Sequence, residues 1–235
     1  MGLNWATIAT GSQGNCYTLD NGQSRLLVEA GVPVRMIQEK IGFVVSSLAG
    51  CLVSHGHGDH CKGIREILRA GVTVYATAET FIGAGVGISH RCCVVQPRGQ
   101  FRVAGGWGVK TFETVHDIPG SLGFIIASGS NKLLFITDTA YIRFKVPGLT
   151  HVVIEANFSE KIVAERVAKG ELHPARAERL RLSHMSIERA LDLLAANDLS
   201  QVEWIRLVHL SNENSDEAMF KDMVEKATGI PVYVE

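Results

Sequence analysis

The chain has 235 residues, a length that suits one α/β domain, and 23 Lys plus Arg against 24 Asp plus Glu give a formal net charge of −1. That balance excludes a polybasic chain that coats nucleic acid indiscriminately. A hydrophobic share of 46% with 20% charged residues excludes a mostly disordered one.

Strands are expected over residues 3–9, 16–20 and 24–29, the last two joined by an Asn21-Gly22 hairpin turn. Residues 33–41 read as a helix with Pro33 in its first turn. Residues 48–54 read as a buried strand and 63–69 as a helix. Strands follow at 73–76, 92–95, 108–115, 122–128, 132–137 and 152–156. The pattern then turns helical at 159–169, 174–182 and 186–197. A strand at 202–210, a helix at 216–227 and a strand at 232–234 close the chain. The early strands are joined by turns too short for helical crossovers, which argues against a doubly wound parallel sheet. Two facing sheets with helices outside bury such apolar strands on both faces. The expected fold class is therefore α/β, a four-layer αββα sandwich, in a single domain over residues 1–235.

Cys16, Cys51, Cys61, Cys92 and Cys93 make an odd set without CxxC spacing, which points away from a disulfide framework and toward a reducing, cytoplasmic setting. The first ten residues lack the basic and apolar regions of a signal peptide. The uncharged stretch 41–58 is broken by Ser, Gly and His, so no membrane span is expected. Cys61 is expected to pack, and Cys92-Cys93 to place one thiol inward and one outward on a strand. Trp5, Trp107 and Trp204 are read as core or rim packing.

The chemistry-bearing stretch is Ser54-His55-Gly56-His57-Gly58-Asp59-His60, which follows the apolar strand at 48–54. Its glycines permit tight curvature, so three imidazoles and a carboxylate can converge. Such a nitrogen and oxygen set suits Zn, Mn or Fe. This HGHGDH resembles the HxHxDH motif of the metallo-β-lactamase superfamily, a family of αββα fold. The resemblance implies two divalent metal ions. His55 and His57 would hold the first, with His116 of Thr114-Val115-His116-Asp117 as its third ligand. Asp59 and His60 would hold the second, with His209 of Leu207-Val208-His209-Leu210-Ser211. Asp138 in Phe135-Ile136-Thr137-Asp138-Thr139 would bridge them, an Asp here resembling the hydrolase and nuclease branches. Glu29 stands where many members carry an Asp that supports the histidine loop.

Further stretches resemble the YycJ-like (WalJ) subfamily: Gly11-Ser12-Gln13-Gly14-Asn15 near the N-terminus, Ile154-Glu155-Ala156-Asn157, Ser183-His184-Met185-Ser186, and His209-Leu210-Ser211-Asn212-Glu213-Asn214. Phe158 differs from the His expected after Asn157, and Ser183-His184 replaces a Gly-His pair. This resemblance implies a metal-dependent exonuclease acting 5′ to 3′ on double-stranded DNA, in which Asp59 or Asp138 orients the attacking water. His184 precedes a helix start that Ser186 can cap, and free backbone N–H groups there would meet a phosphate. It reads either as a phosphate contact or leaving-group acid, or as a histidine that fixes the loop. Residues 161–189 carry seven Lys and Arg against four Glu, readable as a phosphate-holding surface or as a solvated face of paired charges. The alternative function is a hydrolase of small esters, thioesters or lactones on the same metal site.

Overall fold

A computed structural model describes residues 2–235. The fold groups into two compact units. The first runs up to Glu113 and takes in Ile118–Asn131; the second comprises Thr114–Asp117 and Lys132–Glu235.

In the first unit, β1 (Asn4–Ala9), β2 (Cys16–Asp20) and β3 (Arg25–Val28) form an antiparallel meander. The Asn21-Gly22 turn is present, as a four-residue connection. Asn21 Oδ1 accepts the N–H groups of Gln23 and Ser24, and Gly22 takes φ +82°. Next come α1 (Val34–Ile41), a 3₁₀ turn at Val45–Ser47, β4 (Gly50–Leu52), α2 (Gly58–Cys61) and α3 (Ile64–Arg69). They are followed by β5 (Val74–Ala76), α4 (Ala78–Gly83) and β6 (Cys92–Val94). From β3 to β6 the pairing is parallel throughout, so helical crossovers are more frequent than the short early turns suggest. The antiparallel run of β7 (Gln100–Val103), β8 (Trp107–Glu113) and β9 (Leu122–Ser128) completes the unit.

Three expectations change here. Pro33 is the N-cap residue of α1 rather than a first-turn residue, with an extended ψ of 141°. The short helices α2 and α4 and the strand β7 carry too few residues for a periodic apolar pattern to show. Cys92 and Cys93 are both half-buried, because β6 lies at the edge of its sheet and neither of its faces is fully covered.

In the second unit, β10 (Asn131–Ile136), β11 (His151–Glu155), β12 (Trp204–Val208) and β13 (Val232–Val234) pair in parallel in that order. The connecting helices are α5 (Glu160–Ala168), α6 (Pro174–Ser183), α7 (Ile187–Ala196) and α8 (Glu217–Thr228). Strand β11 is buried at every position, as a central parallel strand covered on both faces must be. The helix starts are chemically capped. Ser159, Ser186 and Asp216 each accept a backbone N–H from their own first turn, and His173 does so ahead of Pro174. No helix among the described residues is long and apolar enough to cross a membrane.

The first unit's core joins α1 and α3 to the sheet through Leu27, Ile37, Val53, Ile64, Ile67 and Phe81. Cys16, Cys51 and Cys61 belong to it. Burial, with the nearby Glu29 charge, pushes the Cys61 thiol up to about 11 and that of Cys16 well above its ordinary value. Burial, with Cys16 and Glu29, does the same for Cys51. An aromatic disulfide reagent near neutral pH should therefore modify Cys92 and Cys93 in the native protein and all five thiols only after denaturation. Fast native modification of a third thiol would contradict this core.

Candidate metal centre

The histidine stretch leaves β4 and turns into α2. His55 and His60 are buried, and Asp59 retains a quarter of its side-chain exposure. His55 Nδ1 meets Ser54 Oγ at 2.8 Å, which turns its Nε2 toward His57 Nδ1 at 3.1 Å. With a proton on one nitrogen this contact is an N–H···N hydrogen bond, and the same pair of lone pairs suits a shared cation in the proton's place.

His60 is held from both sides. Glu29 Oε2 lies 3.5 Å from its Nδ1 and accepts the Ser54 N–H. Glu29 is wholly buried and sits in the left-handed region at φ 65°. The longer acid therefore reaches the histidine loop from a bent backbone. On the other side Asn15 Nδ2 stands 3.0 Å from His60 Nε2, on the ring nitrogen that would ligate a metal. Asn15 also clamps the loop through its main chain. Its N–H donates to Asp59 O at 2.7 Å, and its carbonyl accepts the Gly31 N–H. Gly31 packs so closely on this loop that any Cβ would overlap the Asp59 carbonyl oxygen.

The second unit, taken by itself, holds His116, Asp138, Glu155, His184 and His209. His116 donates Nδ1–H to the Ser183 carbonyl at 2.8 Å, so its Nε2 carries the lone pair and faces Asp138 Oδ2 at 3.6 Å. A ring lone pair opposed to a carboxylate is again a donor set that a cation fits. Burial pulls the His116 imidazolium down despite Asp138, which favours the neutral ligand form. Thr137 Oγ1 donates to Asp138 Oδ1 at 3.0 Å and orients that carboxylate.

Four donor atoms of Asp138, Glu155, His184 and His209 lie within 4.8 Å of one another. This group is a hydrogen-bonded knot around Glu155. Glu155 Oε1 is 2.6 Å from His184 Nδ1 and 3.1 Å from His209 Nδ1. Its Oε2 accepts the N–H groups of Thr139 and Met185, each at 3.1 Å. Four donors fill the lone-pair sites of one carboxylate. Both histidines thereby keep a proton on Nδ1 and present Nε2. Burial opposes ionisation of Glu155, yet the His184 charge and the two histidine hydrogen bonds hold its carboxyl below the ordinary value. Burial likewise opposes the His184 imidazolium, and Glu155 outweighs it and raises the pKa. Asn157 adds a 2.9 Å bond from Nδ2 to the His209 carbonyl.

Motif spacing alone gives Glu155, Asn157 and Asn15 no role. Glu155 had a signal, an acid ending an otherwise apolar strand, since a buried carboxylate survives only with partners. Two other expectations shift. The start of α7 offers fewer free N–H groups than supposed, because Ile187 N–H goes to the Phe158 carbonyl and Arg189 N–H to Ser186 Oγ. Of the seven cations at 161–189, three follow the reading as paired charges: Arg166 with Glu171 and Glu213, Arg179 with Asp117, and Arg181 with Glu160. Phe158 is wholly buried with Val163 and Ala177 and packs the base of α5 and α6. Trp5 and Trp107 are buried, and Trp204 lies beneath the Arg206 guanidinium, all three in packing roles.

Residues 25–210 match the family described as the beta-lactamase superfamily domain. The chain belongs to this superfamily. It is 27% identical over 228 residues to a protein named exodeoxyribonuclease YycJ from Bacillus anthracis, covering 92% of this chain and 85% of that one. It is 24% identical over 231 residues to exodeoxyribonuclease WalJ from Streptococcus pneumoniae serotype 2, covering 92% and 84%. Among solved structures, the metallo-β-lactamase fold protein YhfI from Bacillus subtilis superposes with a TM-score of 0.75. It shows 17% identity and covers 99% of this chain and 96% of that one. The fold class is thus the metallo-β-lactamase-like αββα sandwich, and the superfamily is one of metal-dependent hydrolases.

Glu155→Gln should weaken metal binding about 10–100-fold and lower the melting temperature, because the amide nitrogen presents hydrogens to groups that are themselves donors. Competitive chelator titration and thermal unfolding measure both. Wild-type affinity in this variant would remove Glu155 from the support of the centre.

Proposed function

We propose that this superfamily member is a phosphodiesterase acting on DNA, an exonuclease that degrades double-stranded DNA from 5′ to 3′. Its two divalent ions, Zn or Mn with Fe as a further choice, would be held by His55, His57, Asp59, His60, His116, Asp138 and His209. The observation that carries the reading is the likeness over 92% of the chain to two proteins named exodeoxyribonucleases. Ions at these donors would supply the Lewis acid that brings a water to nucleophilic form near neutral pH.

The chain's own groups do the positioning. Asp59 and Asp138 offer carboxylates to orient the water. His184, with Nδ1 tied to Glu155 and a raised pKa, presents Nε2 as a proton donor to the reacting phosphate or the leaving oxygen. Its side chain keeps about a fifth of its exposure, so a substrate can reach it. The Glu155 contact also explains how the same residue fixes its loop.

Asp138→Ala should abolish hydrolysis in a folded protein, measured on duplex DNA labelled at either end. Wild-type turnover would show that the carboxylate is misassigned. The same assay tests polarity, through early release of the 5′ label from linear duplex. Inert DNA alongside rapid thioester cleavage would replace the nuclease reading with the small-molecule one.

His184→Ala should lower single-turnover cleavage about 10²–10⁴-fold with metal content unchanged. A lower melting temperature with a normal cleavage rate would reduce His184 to a loop-fixing residue.

A further inference from the structure

Beside the Glu155 knot, the second unit holds a pocket of about 370 Å³, within the size range of small-ligand sites. The segment after Asp138 forms one wall and α7 the other. Both walls are rooted on the same carboxylate, since Glu155 Oε2 accepts the N–H groups of Thr139, two residues before Tyr141, and of Met185, which lines the pocket. Arg189 Nη1 ties the walls together by donating to the Ala140 and Arg181 carbonyls.

The lining has three chemically distinct parts. Met185, Leu193 and Ala196 give an apolar floor. Tyr141 and Phe144 supply aromatic faces, and Arg143 lies with its guanidinium carbon 4.9 Å from the Tyr141 ring centroid while donating to the Tyr141 hydroxyl. Arg143 and Lys145 are exposed cations, and among the described residues Lys145 forms no ion pair or side-chain hydrogen bond with a carboxylate. Asp192 is the one acid in the lining. Flat apolar and aromatic surface bounded by cations matches a ligand with a π face and an attached anion.

We propose that this pocket is a subsite for one nucleotide of the substrate strand away from the scissile phosphodiester, its base on Tyr141 and Phe144 and its phosphates on Arg143 and Lys145. The assignment rests on the nuclease reading above and adds a specificity-determining contact to it. Because Glu155 holds both walls, a strand seated here is in register with His184, the residue that precedes Met185. Arg189 is committed to two carbonyls and serves the wall rather than the phosphate.

The test uses the metal-loaded full chain and a short fluorescent phosphorothioate duplex with a single-stranded end, which resists cleavage, with anisotropy followed across a salt series. The double variant Arg143→Ala/Lys145→Ala should bind about tenfold more weakly. The slope of log affinity against log salt should become shallower by about 1.4, the value for two lost contacts to a single strand. Phe144→Ala should weaken binding by at least about fivefold with an unchanged slope, as loss of stacking requires. Lys145→Arg should restore most of the slope that Lys145→Ala removes. Melting temperatures near that of the wild type establish that these surface variants are folded. Wild-type affinity and slope in the double variant, with DNA still cut by the wild type, overturn the pocket and leave the nuclease reading standing. A wild-type chain that neither binds nor cuts DNA overturns both.

Discussion

A single buried carboxylate organises the chemistry of the second unit. Glu155 ends a strand that is buried at every position, where an unpartnered charge would be strongly unfavourable. It is retained because four donors converge on it: two imidazoles and two backbone N–H groups. Those partners come from after β10, after α6 and after β12. The knot therefore sets the exit direction of three loops and the tautomer of two histidines at once. His184 and His209 do not choose their orientation separately, and the pocket wall at Met185 inherits its position from the same oxygen.

The first unit solves the matching problem with backbone rather than with a shared acid. Asn15 binds the Asp59 main chain, and Gly31 lets two segments approach closer than a side chain permits. Glu29 adds a carboxylate under His60. The glycine-rich loop after β1 thus acts as a clamp on the histidine loop, a role that depends on hydrogen bonds between segments 44 residues apart in the chain.

Much of this was legible in the residues. The HGHGDH stretch, and the placement of His116, Asp138 and His209 at the ends of apolar runs, are local patterns that a reader can find without coordinates. The longer strands and the four C-terminal helices follow from periodicity and capping residues such as Ser159, Ser186 and Asp216. What could not be read is of two kinds. Elements of four to six residues, such as α2, α4 and β7, are too short for a period to emerge. The partners of Glu155 and Asn15 are set by tertiary approach, so the composition around either residue does not name them. Within 161–189, Arg166 and Arg179 look open to anions until Glu213 and Asp117, the acids opposite them, are placed.

Glu29, Asp138 and His209 share one further property: each adopts a left-handed backbone, with φ of 65°, 45° and 58°, although none is glycine. Such conformations cost on the order of 1–3 kcal/mol apiece, a noticeable fraction of a domain's total stability. The energy is recovered only from whatever these side chains grip. Replacing any one of them by glycine would relax the bend while deleting the grip, so heat stability would move only by the difference of two opposed terms while activity would lose the side chain outright. The three bends therefore mark where this protein's robustness to heat can be improved only at the expense of its chemistry.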